Sequence, residues 1–297
     1  MRIAIIALFC VLTMPINAQI EKDTWHWEQI DSVDITCLYE YTYLNFLFPH
    51  ERREIRENHI LQIGRNLSKF YSLKSWQLDS LTSQPNGEQE IMKRKIKALS
   101  APSRSRAQYD EMWHSTFPSY GMRYIIYKNY PKDSIMVQDA VGTNYYCYGD
   151  TLNSQLWQLE DDTLNVLGYR CHKASCEWRG RNYTAWYAEE IPVSDGPYKF
   201  AGLPGLIMRV YDKDHEYEWT IKGIQREHRR GIFLSTPVNY DAKKQYVPIT
   251  RRDLLRKHSR EYIGIAKKLN ADDVMLGNEP HISDGIRDLI ERDYLLR

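Results

Sequence analysis

Neither sign of charge is in excess in this 297-residue chain, which has 40 Lys and Arg against 39 Asp and Glu. That balance excludes the strong positive field by which phosphate backbones and anionic surfaces draw partners, so nucleic acid is not an expected partner. Long apolar runs are missing beyond the first residues, and no later stretch approaches the roughly 18 residues of a membrane-crossing helix. Glycine and proline are sparse, at 15 and 12. No C-x-x-C, H-x-x-x-H, phosphate loop, nucleophile elbow or dinucleotide fingerprint occurs. The common short signatures of zinc, ATP, acyl-transfer and NAD chemistry are therefore lacking, and no metal or cofactor is expected. Cysteine numbers only five.

What is present starts with a leader. Arg2, the apolar run from Ile3 to Met14 and the small-residue end at Ala18 read as a secretory signal peptide over 1–18. Residues 19–297 are then expected to form one β-rich domain, secreted across the inner membrane to the periplasm or cell envelope, with no transmembrane span left after cleavage. Export permits disulfides, and Cys37, Cys147, Cys171 and Cys176 are the candidates. Cys171 and Cys176 are five apart, so on a continuous strand they face opposite sides, and a bridge between them needs a bulge or turn.

Tyrosine (22) and tryptophan (8) are abundant, and both favour strands. "VDITCLYEYTYLNF" (33–46) predicts a long strand, and residues 57–72 a second one with a bulge or bend at Gly64. Residues 74–112 read as a polar surface insertion with a short basic helix carrying Met92, Ile96 and Leu99 on one side. Strand-like runs then follow with short turn-like separators, as hairpins of an antiparallel meander do. In "EYEWTIKGI" Tyr217, Trp219 and Ile221 alternate with polar residues, which implies one dry face. Thr250 and Asp253 start a helix in the 250–297 segment, and a last helix follows Ser283. The expected fold is mostly β (α+β): a curved antiparallel sheet or half-barrel with C-terminal helices packed on it.

The segment "GPYKFAGLPGLIMRV" (196–210) gathers three glycines and two prolines. Pro204-Gly205 matches a type II turn, with glycine taking the positive φ at its third position. Gly196-Pro197 redirects the chain, and Gly202 leaves space for a close approach. The segment reads as architecture and, alternatively, as a loop at a ligand mouth. "GLPGLI" (202–207), together with "GYRCHKA" (168–174), "GRNYTAWYAEEIP" (180–192) and "LQIGRNLSKFYS" (61–72), resembles the GLPGLI family of exported proteins from Bacteroidota-type bacteria. The resemblance runs over roughly residues 33–225. It implies export and transfers no catalytic residue.

Several chemistries can be weighed. Cys171 and His172 are strand neighbours on opposite faces and cannot form a nucleophile–base pair. His172 and Cys176 share a face about 13 Å apart, too far for one metal ion. Glu189-Glu190 and Asp195 form no evident acid–base pair. No catalytic residue is assigned. What remains is an aromatic-rich sheet whose concave side suits a lipid, a peptide or another amphipathic ligand. The candidate binding residues are Trp186, Tyr198, Phe200 and the bend Gly202, Leu203, Pro204 and Gly205, with Lys173, Arg181 and Arg209 at the rim. The expectation is a periplasmic or envelope binding or carrier protein. The alternatives are an accessory protein with an outer-membrane partner and an envelope hydrolase.

Overall fold

The structure is a computed structural model that describes residues 28–45, 53–100, 120–227, 230–235, 245–261, 264, 290–291 and 293. The leader, residues 101–112 of the polar insertion and the helix expected after Ser283 lie outside the described residues.

The fold is mostly β. The strands are β1 (Gln29–Asn45), β2 (Arg53–Gly64), β3 (Ser68–Ser72), β4 (Ile125–Lys128), β5 (Ser134–Val141), β6 (Asn144–Thr151) and β7 (Gln158–Val166). They continue as β8 (Tyr169–Trp178), β9 (Arg181–Ala188), β10 (Leu206–Asp212), β11 (Tyr217–Arg226), β12 (Gly231–Phe233) and β13 (Val247–Pro248). All join one sheet in the order β13-β6-β5-β4-β3-β2-β1-β11-β10-β9-β8-β7, with β12 added on β1. Each pairing is antiparallel except the short parallel contact of β13 with β6. The chain thus lays down two meanders, β1 to β6 and β7 to β11, joined where β1 pairs with β11.

This order forces the sheet to bow. A flat sheet would set β6 and β7 ten strand spacings apart, about 48 Å. The chain joins them through residues 152–157 alone, which reach about 25 Å at full extension. The ends therefore swing toward each other, and Arg179, just past β8, donates to Asp150 of β6 at 2.7 Å. Among the described residues no ladder joins β6 to β7, so the sheet stays open.

Alternation explains which side is dry. Tyr217, Trp219 and Ile221 of β11 and Tyr183 and Ala185 of β9 are buried in one large core with Cys37, Tyr39 and Tyr41 of β1. On the opposite face Leu38, Ile60 and Tyr71 form a second cluster with Leu73 and Trp76 of helix α1 (Leu73–Thr82). Ser72 caps α1 by accepting from the Ser75 amide. Helix α2 (Gly87–Ser100) follows with Met92 and Ile96 exposed. The start of the expected surface insertion is thus part of the packed fold, while α2 is peripheral. The single strand expected over 57–72 is instead the β2–β3 hairpin, whose turn is fixed by Asp31 accepting from the amides of Asn66 and Leu67. Thr250 starts the helical stretch 251–261 as its spacing implied, accepting from the Asp253 amide, and Leu254 enters the main core.

Cys37, Cys147, Cys171 and Cys176, the disulfide candidates, are all free thiols in the structure. The reason is register: Cys37 pairs with Ile224 and Leu61, Cys147 with Gln138, Cys171 with Leu164 and Cys176 with Tyr183, so none lies across from another. The β8–β9 ladder runs unshifted from His172 to Trp178, without the bulge that a Cys171–Cys176 bridge needs.

Candidate functional site

Between β9 and β10 the chain folds residues 189–205 back over the inner face of the sheet. Phe200 N–H donates to the Pro197 carbonyl, closing a tight turn in which Tyr198 has φ 51°. A bulky residue in that region costs about 1–3 kcal/mol and persists only where its surroundings over-determine it. Here they do. The Tyr198 hydroxyl donates to Glu291 at 2.6 Å, and its ring stacks on Trp219 and meets Tyr124 edge-on.

Two buried lysines pin this loop. Lys128 of β4 pairs with Asp195 and donates to the carbonyls of Gly196 and Phe200. Lys199 reaches the Tyr148 hydroxyl and Asp150 of β6, each at 2.8 Å, and also pairs with Glu291. Arg179, Arg251 and Asp293 complete the cluster, so three cations meet three carboxylates. The cluster is charge-balanced and closed, which is the signature of a clamp rather than of a reactive site.

The glycine roles differ from the expectation. Gly205 does not take a positive φ; a Cβ there would sit 2.2 Å from the Ala188 carbonyl oxygen, so a close approach of two backbones requires it. Gly202 has φ +92°, with its nearest neighbouring atom at 3.7 Å. The type II turn with positive φ at Gly205 is therefore not formed, and the left-handed bend falls three residues earlier.

The ten candidate binding residues do not converge. Tyr198, Phe200 and Leu203 are buried in the core. Gly202 and Pro204 are exposed and, with Leu203, line an open groove against Leu156 to Leu159. Lys173, Trp186 and Arg209 are ladder neighbours in one row, on the face of β9 opposite Tyr183 and Ala185. Lys173 pairs there with Glu160 and Asp162, and Arg209 with Glu218. Arg181 is buried against Asp212 and Glu216 and lies over the Tyr217 ring. The three rim cations are thus each occupied by their own carboxylates, Lys173 and Arg209 in one row and Arg181 apart from them.

What the bowed sheet does enclose is a cavity of about 370 Å³. Six tyrosines wall it: Tyr41, Tyr43, Tyr124, Tyr148, Tyr198 and Tyr217. Val137, Leu254 and Leu255 add apolar surface, and Arg123, Asp139, His258 and Glu261 supply polar groups. The Tyr41 and Tyr124 hydroxyls are buried and have no hydrogen-bond partner among the described residues. Burial, reinforced by neighbouring phenols and Glu57, holds both phenols well above the usual tyrosine range, so they remain protonated donors. Behind them, Trp219 donates to Nδ1 of the fully buried His59 at 3.3 Å. The His59 proton therefore sits on Nε2, which donates to Glu57 at 3.1 Å. At the wall His258 Nε2 meets Asp139 at 2.8 Å. Burial opposes the imidazolium, but the Asp139 carboxylate outweighs it and raises the His258 pKa.

Of the six cavity tyrosines only Tyr41 and Tyr43 stand in the aromatic alternation of β1, and Tyr124, Asp139 and His258 carry no sequence signal of their own. Among the described residues no three His, Cys, Asp or Glu side chains converge to hold a metal ion. Burial raises all four thiols, Cys171 to about 11 and Cys176 to about 12, which removes them as thiolate nucleophiles.

Comparison with a known family covers the inner loop and, of the residues that line the cavity, Tyr198 alone. A family described as "Protein of unknown function (Porph_ging)" matches residues 177–209, from the end of β8 through β9 and the inner loop into β10. No curated protein matches the chain. Two solved structures of PNGF-II, in the P21 and C2 space groups, are similar at 8% and 13% identity with TM-scores of 0.46 and 0.44. They align over 78% and 76% of this chain, which spans about a third of theirs (34% and 33%). A likeness at that level carries no argument about function.

Proposed function

We propose that this chain is an exported binding or carrier protein of the periplasm or cell envelope, of the GLPGLI type, and that it takes an amphipathic ligand in the tyrosine-walled cavity. One observation carries the reading: a space of about 370 Å³ lined by aromatic rings also holds two buried phenols with no acceptor among the described residues. Cavities of this size suit small organic ligands. An unpaired buried hydroxyl costs about 1–3 kcal/mol, which a ligand oxygen recovers. The leader-like residues 1–18 support export. A saturable apolar fluorophore such as N-phenyl-1-naphthylamine tests the site. One-to-one binding that Leu255→Trp abolishes, in a variant shown by circular dichroism to be folded, is the expected result. Binding that does not saturate, or that Leu255→Trp leaves unchanged, contradicts it.

The second reading, an accessory protein with an outer-membrane partner, draws on the sheet's free edge. β7 ends the strand order, and Leu156 just before it and Leu159 within it are 84% and 61% exposed. Photo-crosslinking in cells from position 159 separates the two: a specific protein adduct at the edge with no ligand in the cavity favours the accessory role.

A further inference from the structure

On the outer face of the sheet, under α1, lies a second and smaller cavity of about 50 Å³. Lys69 of β3 lines it and is only 6% exposed. Its ammonium donates to the Phe233 carbonyl and to Ser235 Oγ, both at 2.9 Å, and lies over the rings of Tyr71 and Tyr127. All of these partners are neutral. Among the described residues no carboxylate comes within ion-pair distance of Lys69, and one of its three N–H groups has no acceptor. Arg123 lines the same cavity, donating to the Gly142 carbonyl at 2.6 Å and stacking on Tyr120 and Tyr145, again with no ion pair.

The other charged groups around this space are accounted for. Asp139 is held by His258 from the helical stretch 251–261. Asp79 of α1 is the one remaining acid. Burial pushes its pKa up to about 6, against opposing effects of a Tyr120 hydrogen bond and the Arg123 charge. Among the described residues each other buried Lys and Arg has its carboxylate: Lys128 has Asp195, Lys199 has Asp150 and Glu291, and Arg181 has Asp212. Lys69 is the exception, and burial alone brings its ammonium down to about 7.

We propose that the Lys69–Arg123 cavity is a binding site for a small oxyanion, either free or as the acidic head of an amphipathic molecule. The volume suits a group the size of a few waters, as a carboxylate or sulfate is. Lys69 supplies a buried ammonium, and the Arg123 guanidinium a planar pair of donors. The small cavity shares Met122, Arg123, Tyr124, Asp139 and Ala140 with the tyrosine-walled one, so the two meet at a common wall.

The test is NMR titration of the full chain with sulfate and with acetate, whose charges stay fixed between pH 6.0 and 8.5. Binding requires the Lys69 ammonium, and protonation of Asp79 removes an opposing charge, so both effects favour the lower pH. Loss of the ammonium alone weakens binding about thirtyfold at pH 8.5. Lys69→Met abolishes binding, and Lys69→Arg, with a fixed charge, loses the thirtyfold fall at pH 8.5 and keeps only the smaller one set by Asp79. Equal wild-type affinity at both pH values, or undiminished binding by a folded Lys69→Met, overturns the proposal. If Lys69→Met does not fold, the wild-type profile and Arg123→Gln still decide. Decanoate against acetate identifies the source of the anion. A gain from the chain that Lys69→Met removes marks an amphipathic headgroup, and equal affinities mark a free anion.

Discussion

Replacing Gly205 by alanine isolates one physical cause, because its backbone angles suit any residue and only space is lacking. The new Cβ would lie 2.2 Å from the Ala188 carbonyl oxygen, 2.6 Å from its carbon and 2.9 Å from the Glu189 nitrogen, where ordinary contact begins at 3.4 Å. All three atoms are backbone, so no side-chain rotation relieves the overlap. Relief requires the end of β9 to move away from β10, yet Ala188 and Leu206 are both fully buried, and the Leu206 amide is tied to the Ile191 carbonyl. Overpacking in such a core costs about 1–3 kcal/mol and sometimes more, and a backbone clash belongs at the upper end. Gly202→Ala is the control. Its φ of +92° penalises a side chain by about 1–2 kcal/mol, but the nearest neighbouring atom is 3.7 Å away. Urea unfolding of both variants should show a loss of about 3 kcal/mol or more for Gly205→Ala and a smaller one for Gly202→Ala. Equal losses, or the reverse order, would refute the assignment of close approach to Gly205.

Three further outcomes follow from the same geometry. Lys199→Met leaves two cations, Arg179 and Arg251, against the three carboxylates Asp150, Glu291 and Asp293, with Glu291 0% exposed, so it should lower unfolding free energy by about 3–5 kcal/mol; a loss below about 1 kcal/mol contradicts the clamp. For Lys69, the unfolded chain holds the proton up to pH 10.5 while the folded chain releases it near 7, so this residue's contribution to stability rises with pH across that window. The difference between wild type and Lys69→Met, measured in buffer free of oxyanions, should change by up to roughly 4–5 kcal/mol between pH 7 and 10.5, and a flat difference counts against a buried lone ammonium. Among the described thiols Cys147 should react first with an aromatic disulfide reagent, and Cys37, Cys171 and Cys176 only on unfolding; a protein that stays unlabelled when unfolded without reductant would indicate bridges instead.

Local pattern made much of the fold legible. Alternation in Tyr217, Trp219 and Ile221 marked a half-buried strand, and the short separators marked hairpins, because both signals depend on residues close in sequence. The bow of the sheet was legible only as a class, since it follows from pairing β1 with β11 and from the short β6–β7 connection. The candidate site was harder to read. Tyr198 was singled out and does line the cavity, but Lys173 and Arg209 find carboxylate partners on neighbouring strands of the opposite face, which sequence spacing cannot show. Gly205 was correctly marked as constrained and given the wrong cause, because a proline–glycine pair looks the same whether φ or space is limiting. Lys69 was missed altogether. In "LSKFYS" it reads as a surface lysine, and only residues 233–235, at and just past the end of β12, and α1 bury it.

The most direct measurement is native mass spectrometry of the protein purified gently from its own cell envelope, repeated on a Leu255→Trp variant that fills the tyrosine-walled cavity. The account predicts one amphipathic molecule bound per wild-type chain and none on the variant. A wild-type chain without any bound molecule, or a molecule retained equally by the variant, would contradict it.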